Sequence, residues 1–378
     1  MTQSPHKHFH RLAWAAVVLT LVLIVFGGFV RLSNAGLSCP DWPTCYGKAT
    51  WPVQEHHIAA ANESFERPVE VHKAWREQVH RHIAGTLGLM VLGLALLAAR
   101  KRRFGTAVML VASALVAASI PAWMRGMIEL SAALAISGEL LLLVAALRWS
   151  NSDLSRLTSL LLMVIVFQAV LGMWTVIWLV KPVIVMAHLL GGLLTFALLI
   201  WLAWKSTPDT DLVHGDAKPL RVALWIGLAL LVAQIALGGW TSANYAALAC
   251  GSDFPTCLGQ WWPQTDFGEA FVLWRGIGVD YEGGVLDGAA RVAIQLSHRV
   301  MAVLLSAYLL WLGWRLLRGP GLRFWGVLLL LLLVVQVTLG ISNVVLNLPL
   351  AVAVAHNAGA ALLLFVLVTL LARVRAPV

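Results

Sequence analysis

The segment GGFVRLSNAGLSCPDWPTC at 27–45 has a second copy in the chain, GGWTSANYAALACGSDFPTC at 238–257. In each, a Gly-Gly pair precedes a cysteine, which comes 11 positions after the second glycine (Gly28 to Cys39, Gly239 to Cys250). The likeness continues downstream in the same order. Glu77-x-x-His80-Arg81 matches Gln295-x-x-His298-Arg299, and Gln168-x-x-Leu171-Gly172 matches Gln336-x-x-Leu339-Gly340. His188 follows Gln168 by 20 residues, and His356 follows Gln336 by 20. So many features in one order identify an internal duplication. The interval from His80 to Gln168 is 88 residues, against 38 from His298 to Gln336, so the first copy holds about 50 additional residues.

Both copies are built of long apolar runs. Of the 378 residues, 60% are hydrophobic and only 12% charged, with a mean hydropathy of +0.82. Soluble domains carry about 25% charged residues, so this composition excludes an ordinary soluble globule. It equally excludes disorder, collagen and a small disulfide scaffold. Backbone in lipid must satisfy its own hydrogen bonds, and about 20 apolar residues in a helix cross the hydrocarbon core. Ten runs predict such helices: 12–31, 77–99, 105–123, 128–148, 156–178, 183–204, 220–241, 292–314, 322–346 and 351–372. The third and fourth account for the extra length of the first copy, as an inserted hairpin at about 104–150 that preserves chain direction. Glu139, within that hairpin, is expected to pack inward or to pair with a polar neighbour.

The expected fold is therefore an all-α polytopic membrane protein with about ten transmembrane helices. Two four-helix bundles form parallel repeats, related by an axis along the membrane normal, and the hairpin is added to the first. The halves run over 1–205 and 219–378, joined by a linker at 206–218.

The formal net charge is +9. In a soluble protein this would suggest nucleic acid; here the basic residues follow the loops, and no nucleic-acid partner is expected. With the N-terminus inside, 16 of the 27 Lys and Arg fall in short inner loops and tails, from Lys7 and Arg11 through Arg100-Lys101-Arg102-Arg103 to Arg373 and Arg375. The short outer loops hold only Arg125 and Lys181. This is the positive-inside pattern. It predicts cytoplasmic termini, with the long connections 32–76 and 242–291 facing outward. The first run is too long for a signal-peptide core and has a counterpart later in the chain, so it is expected to stay. With no Arg/Ser-rich transit peptide, a bacterial inner membrane is the expected location, with lipid around the chain.

His80, His188, His298 and His356 each lie a few residues into a helix that enters from the outer side, roughly 5–10 Å deep at about 1.5 Å per residue. Ionisable groups inside a membrane are costly and usually functional. Two histidines per bundle, at equal depth on two helices, can clamp a planar metal macrocycle from both faces, and haem is the natural candidate. The plainer alternative is that each histidine hydrogen-bonds a neighbouring helix. Arg81 and Arg299, each directly after a histidine, can bind propionates or snorkel to headgroups. Zinc is disfavoured, because no third nitrogen or sulfur ligand recurs at this depth. The remaining histidines (His6, His8 and His10 in the N-terminal tail, His56, His57, His72, His82 and His214) are not expected to be ligands.

All four cysteines lie in the two long outer loops. Four cysteines allow three pairings, and the repeat favours one bridge within each loop, Cys39 with Cys45 and Cys250 with Cys257. A structural staple and an exchanging dithiol both remain open. The halves differ at one telling place. Glu77 lies three residues before His80 and hence on the same helix face, whereas its counterpart is Gln295. A carboxylate beside a reaction centre can accept a proton or stabilise developing positive charge; it can also simply pair with Arg81 or Arg76.

Taken together, GGFVRLSNAGLSCPDWPTC, the Glu-x-x-His-Arg element, QAVLGMWTV followed by His188, and the SHR and AHNAG segments resemble the haem A synthase family. The resemblance spans most of the chain except the hairpin, which departs from that family's usual eight helices. It implies an oxidoreductase that converts the C8 methyl of haem O to a formyl group by two successive hydroxylations and loss of water, giving haem A for terminal oxidase assembly. It implies haem b on His298 and His356, the substrate haem O on His80 and His188, Glu77 as the catalytic carboxylate, and disulfides in the paired loops. The partners it admits are haem O synthase, a second copy of the chain, and an electron acceptor that the sequence does not identify. A dihaem electron-transfer cytochrome and a haem transporter or chaperone are the competing readings. All four histidines at the outer depth speak against a transmembrane wire, and Glu77 opposite Gln295 favours an enzyme.

Overall fold

The computed structural model describes residues 8–208 and 210–376, so the tail residues His6 and Lys7 lie outside the described residues. Among the described residues, ten helices are long and apolar enough to cross a membrane: α1 (Phe9–Leu32), α3 (Val71–Ala99), α4 (Gly105–Met124), α5 (Ile128–Arg148), α6 (Ser155–Ile177), α7 (Pro182–Ser206), α8 (Ala217–Ala243), α10 (Gly288–Arg318), α11 (Arg323–Val345) and α12 (Leu350–Arg373). Each of the ten sequence-predicted runs corresponds to one of them. Two short helices, α2 (Glu55–Ser64) and α9 (Phe267–Ala270), occupy the long loops and were not expected. Hydropathy also misplaced the starts of α3 and α10, which begin at Val71 and Gly288 rather than 77 and 292. The first turn of α3 carries His72 and Lys73, that of α10 carries small residues and Arg291, and both lie beyond the apolar window; α10 is launched by Asp287, whose carboxylate accepts from the Ala290 N–H at 2.8 Å.

Cα packing divides the chain into two compact units: Met1–Leu23, Ser38–Val176 and Leu194–Asp209; and Ile24–Leu37, Ile177–Leu193 and Thr210–Val378. Within the first, α4 and α5 form the expected hairpin and α4 also packs on α3. At Gly138 of α5 an added Cβ would lie 2.8 Å from the Ala112 carbonyl and 2.8 Å from Val116, so the hairpin closes at small-residue distance. Ser159 of α6 donates to the Leu142 carbonyl of α5 at 2.9 Å. Glu139 is half-buried; among the described residues its buried Oε1 has no hydrogen-bond partner.

In the second unit α8 packs on α10, α10 on α11, α11 on α12 and α12 back on α8, a closed ring of four helices. The turns of α1 and α7 next to the disulfide loops belong to the same unit. Gly28 of α1 lies against Asn357 of α12, where a Cβ would collide with the amide. Its counterpart Gly239 of α8 meets Leu189 of α7, with a Cβ position 2.9 Å away. At the opposite end, strand β1 (Leu212–Val213) runs parallel to strand β2 (Val374–Arg375), and Arg373 Nε donates to the Thr210 carbonyl.

The two disulfide loops are copies in space as in sequence. Cys39–Cys45 and Cys250–Cys257 are bridged, as the repeat favoured. Each loop closes through an antiparallel bridge, Cys45 with Lys48 and Cys257 with Gln260. An aspartate tightens each turn: Asp41 Oδ2 accepts from Gly47 N–H at 2.8 Å, and Asp253 Oδ2 from Gly259 N–H at 2.7 Å. Gly47 and Gly259 sit at φ +73° and +74°, the left-handed region that favours glycine.

Candidate functional site

The first unit gathers its buried charge under loop 39–49. Glu77 is 5% exposed. Its Oε2 accepts from the Cys39 N–H at 2.9 Å and from Ser38 Oγ at 3.2 Å, and its Oε1 accepts from Arg81 at 2.5 Å. Arg81 in turn donates to the carbonyls of Asp41 (2.7 Å), Thr44 (2.6 Å) and Cys39 (3.3 Å). Gln78 and His82 both donate to the Ala49 carbonyl, at 2.7 and 2.9 Å. Two turns of α3 thus grip the disulfide loop, and the carboxylate is held at the junction. The pairing of Glu77 with Arg81, weighed from the sequence as an alternative, is present, and it adds to the carboxylate's fixation. His80 is half-buried, on the same helix.

The second loop keeps the arginine of this grip, while Leu296 and Val300 stand where Gln78 and His82 do. Arg299 donates to the carbonyls of Asp253 and Thr256, both at 2.9 Å. Gln295 stands where Glu77 does, 4% exposed, and its Oε1 has no hydrogen-bond partner among the described residues. A clamp that works with glutamine needs no carboxylate for packing, which makes the charge at Glu77 a separate feature requiring its own reason.

His298 and His356 lie in the second unit, on α10 and α12. Both are half-buried. His298 rests against Gly238 of α8, where a Cβ would lie 3.1 Å from its Cε1. His356 rests against Gly340 of α11, with the same distance 3.0 Å. Each imidazole therefore lies on bare backbone. The glycines of the repeat were legible as matches; that they are the seats of the imidazoles was not. Nδ1 of His356 lies 3.2 Å from the Gln336 carbonyl. A carbonyl only accepts, so Nδ1 carries the proton and Nε2 keeps its lone pair. The Gln336 amide, another repeat position, approaches that Nε2 at 3.4 Å. Gln234 of α8 contacts His298, a residue that sequence comparison passed over because it has no polar counterpart in the first copy.

His188, on α7, is also half-buried. Lys181 was read from the sequence as an outer-loop basic residue; its burial was not foreseen. Lys181, seven residues earlier, is 1% exposed, and its ammonium lies 3.5 Å over the Trp274 ring and 5.6 Å from that of Trp178. Burial pushes its pKa down, and the ring faces supply the negative field that water no longer does. His56, His57 and His72 stay in loop 46–76 and its helices, and His214 lies in the connection before α8.

A family description of cytochrome oxidase assembly proteins matches this chain over residues 10–129 and 129–368, the two matches meeting in the first turn of α5. Several curated proteins are similar along nearly their whole length. A haem A synthase of Shewanella oneidensis is 38% identical over 357 residues, covering 94% of this chain and 93% of that protein. One from Caulobacter vibrioides is 28% identical, covering 96% of each. One from Halalkalibacterium halodurans is 24% identical, covering 89% of this chain and 87% of that protein.

Proposed function

The chain belongs to the haem A synthase family of cytochrome oxidase assembly proteins, and from that membership together with the site geometry we propose that it oxidises the C8 methyl of haem O to a formyl group. It is an oxidoreductase of the membrane, built on ten apolar helices. The observation that carries the chemistry is the fixed carboxylate of Glu77, three residues from His80, opposite an uncharged Gln295 in the other copy.

In this reading the two halves, 1–205 and 219–378, divide the work. His80 and His188 take the substrate haem O, and His298 and His356 take a haem b. The donor set supports the latter: His356 carries its proton on Nδ1 and so keeps Nε2 as an electron-pair donor, both imidazoles are seated on glycine, and both keep accessible surface. Haem b, when bound, supplies the group through which electrons leave the substrate toward an acceptor. Glu77 stabilises the positive charge that builds at the methyl carbon and takes the proton of the attacking water. Arg81 orients that carboxylate through their ion pair and fixes the loop above it. Arg81 and Arg299 are the groups proposed to face the propionates. Cys39–Cys45 and Cys250–Cys257 close the loops that these arginines hold. The disulfide loops face outward from the bacterial inner membrane and the termini face the cytoplasm, following the basic residues. Haem O synthase and a second copy of the chain are the proposed protein partners.

The direct test is expression beside a source of haem O, followed by extraction and mass analysis of the haems. A formyl product, or its hydroxymethyl precursor, is expected; unaltered haem O alone would overturn the reading. The seats give a second test. Gly340→Ala brings a methyl to 3.0 Å from the His356 ring and is expected to cost about 1–3 kcal/mol in packing and to reduce the haem retained per chain. Gly192→Ala, where a Cβ meets nothing within 4 Å, is the control and is expected to leave haem content unchanged. Equal haem content in the two variants would mean that the seat does not matter.

A further inference from the structure

An ammonium buried without an anion is costly, because the water that would solvate it is gone and no opposite charge replaces it. Lys181 is in that position. It is 1% exposed, and among the described residues its Nζ has no hydrogen-bond partner and no carboxylate against it. Its place in the chain adds to the cost. The Lys181 carbonyl accepts from the N–H groups of Ile184 and Val185, at 2.9 and 3.1 Å, so the residue opens α7 and brings its charge to the positive end of that helix's dipole. The rings of Trp274 and Trp178 offset part of the first cost, but they do nothing for a helix N-terminus. A carboxylate would answer both, since helix N-termini favour anions.

One carboxylate-bearing ligand belongs to this same helix. His188 follows Lys181 by seven residues, about two turns, which puts the two on one face of α7 and about 10 Å apart along its axis. A porphyrin whose iron is bound by that imidazole lies along the helix, and its propionates turn toward the outer, watery end, where Lys181 is. The second copy has no such cation. Leu179-Val180 and Asn347-Leu348 take the same left-handed backbone before their helices, at φ +50°, +50° and +57°, +60°; the next residue is Lys181 in one and Pro349 in the other. The ammonium is therefore particular to the copy proposed to take haem O. Arg81, the cation already assigned to propionates in that copy, has both terminal nitrogens engaged by Glu77 and by loop carbonyls. The cover over Lys181 is one ring thick. Trp274 is itself 60% exposed, and Gly276 and Gly278 follow it, the latter at φ +83°, so the ring can lift without unpacking a helix.

We propose that Lys181 and the first turn of α7 form a carboxylate site that binds a propionate of haem O, the carboxylate replacing the Trp274 face as the ammonium's partner. A charge-assisted bond of this kind is worth about 10–100-fold in affinity. The inference rests on the assignment of His188 as a ligand of that haem.

The test titrates the full chain, purified in neutral detergent with its resident haem, with haem O and with haem O whose two propionates are methyl esters. Binding is read by difference spectra for wild type, Lys181→Met, Lys181→Arg and His188→Ala. Lys181→Met is expected to bind haem O about 10–100-fold more weakly than wild type and to bind the diester as wild type does. Lys181→Arg keeps the charge and is expected to restore most of the affinity for haem O. With no haem O added, Lys181→Met is expected to unfold at the wild-type temperature or above it, because a buried charge has given way to an apolar chain of similar volume. Equal affinities of wild type and Lys181→Met for haem O would overturn the proposal. So would losses of equal size for haem O and its diester, which would leave Lys181 as a staple for Trp274. A phospholipid phosphate shares the chemistry of a propionate, so the wild-type titration is repeated with phosphatidylglycerol. Unchanged haem O affinity supports the propionate; a fall to the Lys181→Met value assigns the site to lipid and overturns it. His188→Ala is expected to lose haem O affinity, and wild-type affinity in that variant would overturn the ligand assignment instead, so the two failures are read from different proteins.

Discussion

Replacing Glu77 by glutamine is expected to leave the chain folded, with its haem b bound, and to reduce formyl product by at least about 100-fold, the lower end of what a positioned acid or base contributes. The fold supplies its own control for this substitution. Gln295 occupies the corresponding place in the second copy, buried, with the loop above it still clamped by Arg299. An amide is therefore sterically acceptable there. What it cannot do is carry charge. In Glu77→Gln one amide arm becomes a donor facing the Cys39 N–H or the Arg81 guanidinium, and Arg81 loses its ion-pair partner. Breaking a buried pair in this way costs about 3–5 kcal/mol locally, so thermal unfolding is to be followed beside product. Haem extraction and mass analysis read the chemistry, and the resident haem spectrum reads integrity. A variant that keeps the spectrum and makes haem A at the normal rate removes Glu77 from the mechanism.

Removing either imidazole of the second unit is expected to have the other large effect. His298→Ala and His356→Ala each take away one axial ligand, and haem retained through purification is expected to fall at least tenfold, beyond the loss that follows from disturbing a ligand's hydrogen-bond partner alone. The ring's departure also leaves a hollow over Gly238 or Gly340, because those positions have no side chain to fill it. An added imidazole-sized ligand can occupy that hollow, so partial recovery of the haem spectrum on adding free imidazole is expected for both. An unchanged haem spectrum in either variant would move the permanent site elsewhere.

Much of the scaffold was legible because the bilayer leaves a chain few options. Ten apolar runs had to be helices, and the duplication told which of them were equivalent. It also pointed to one disulfide within each loop. The misplaced starts of α3 and α10 have the same origin, since hydropathy registers lipid and not the polar turns that carry a helix on past it. The grip of Arg81, Gln78 and His82 on loop 39–49 depends on rotamers and on loop carbonyls, neither of which leaves a trace in residue type. Gln234 was hidden for the opposite reason. Repeat matching rewards sameness, and the counterpart of this residue in the first copy is Leu23. The outer turns of α1 and α7 joining the second unit reflect close crossings at Gly28 and Gly239, and a glycine's partner is not written beside it.

The pairing of β1 with β2 has a practical side. Residues 374–375 are hydrogen-bonded to 212–213, and Arg373 and Arg375 reach Thr210 and Asp211. A fluorescent reporter or purification handle joined downstream starts its course from this knot instead of from a loose thread. Trimming the polypeptide back to Ala372 takes away the linker's mate as well as a few amino acids, so engineered versions are better lengthened there than shortened.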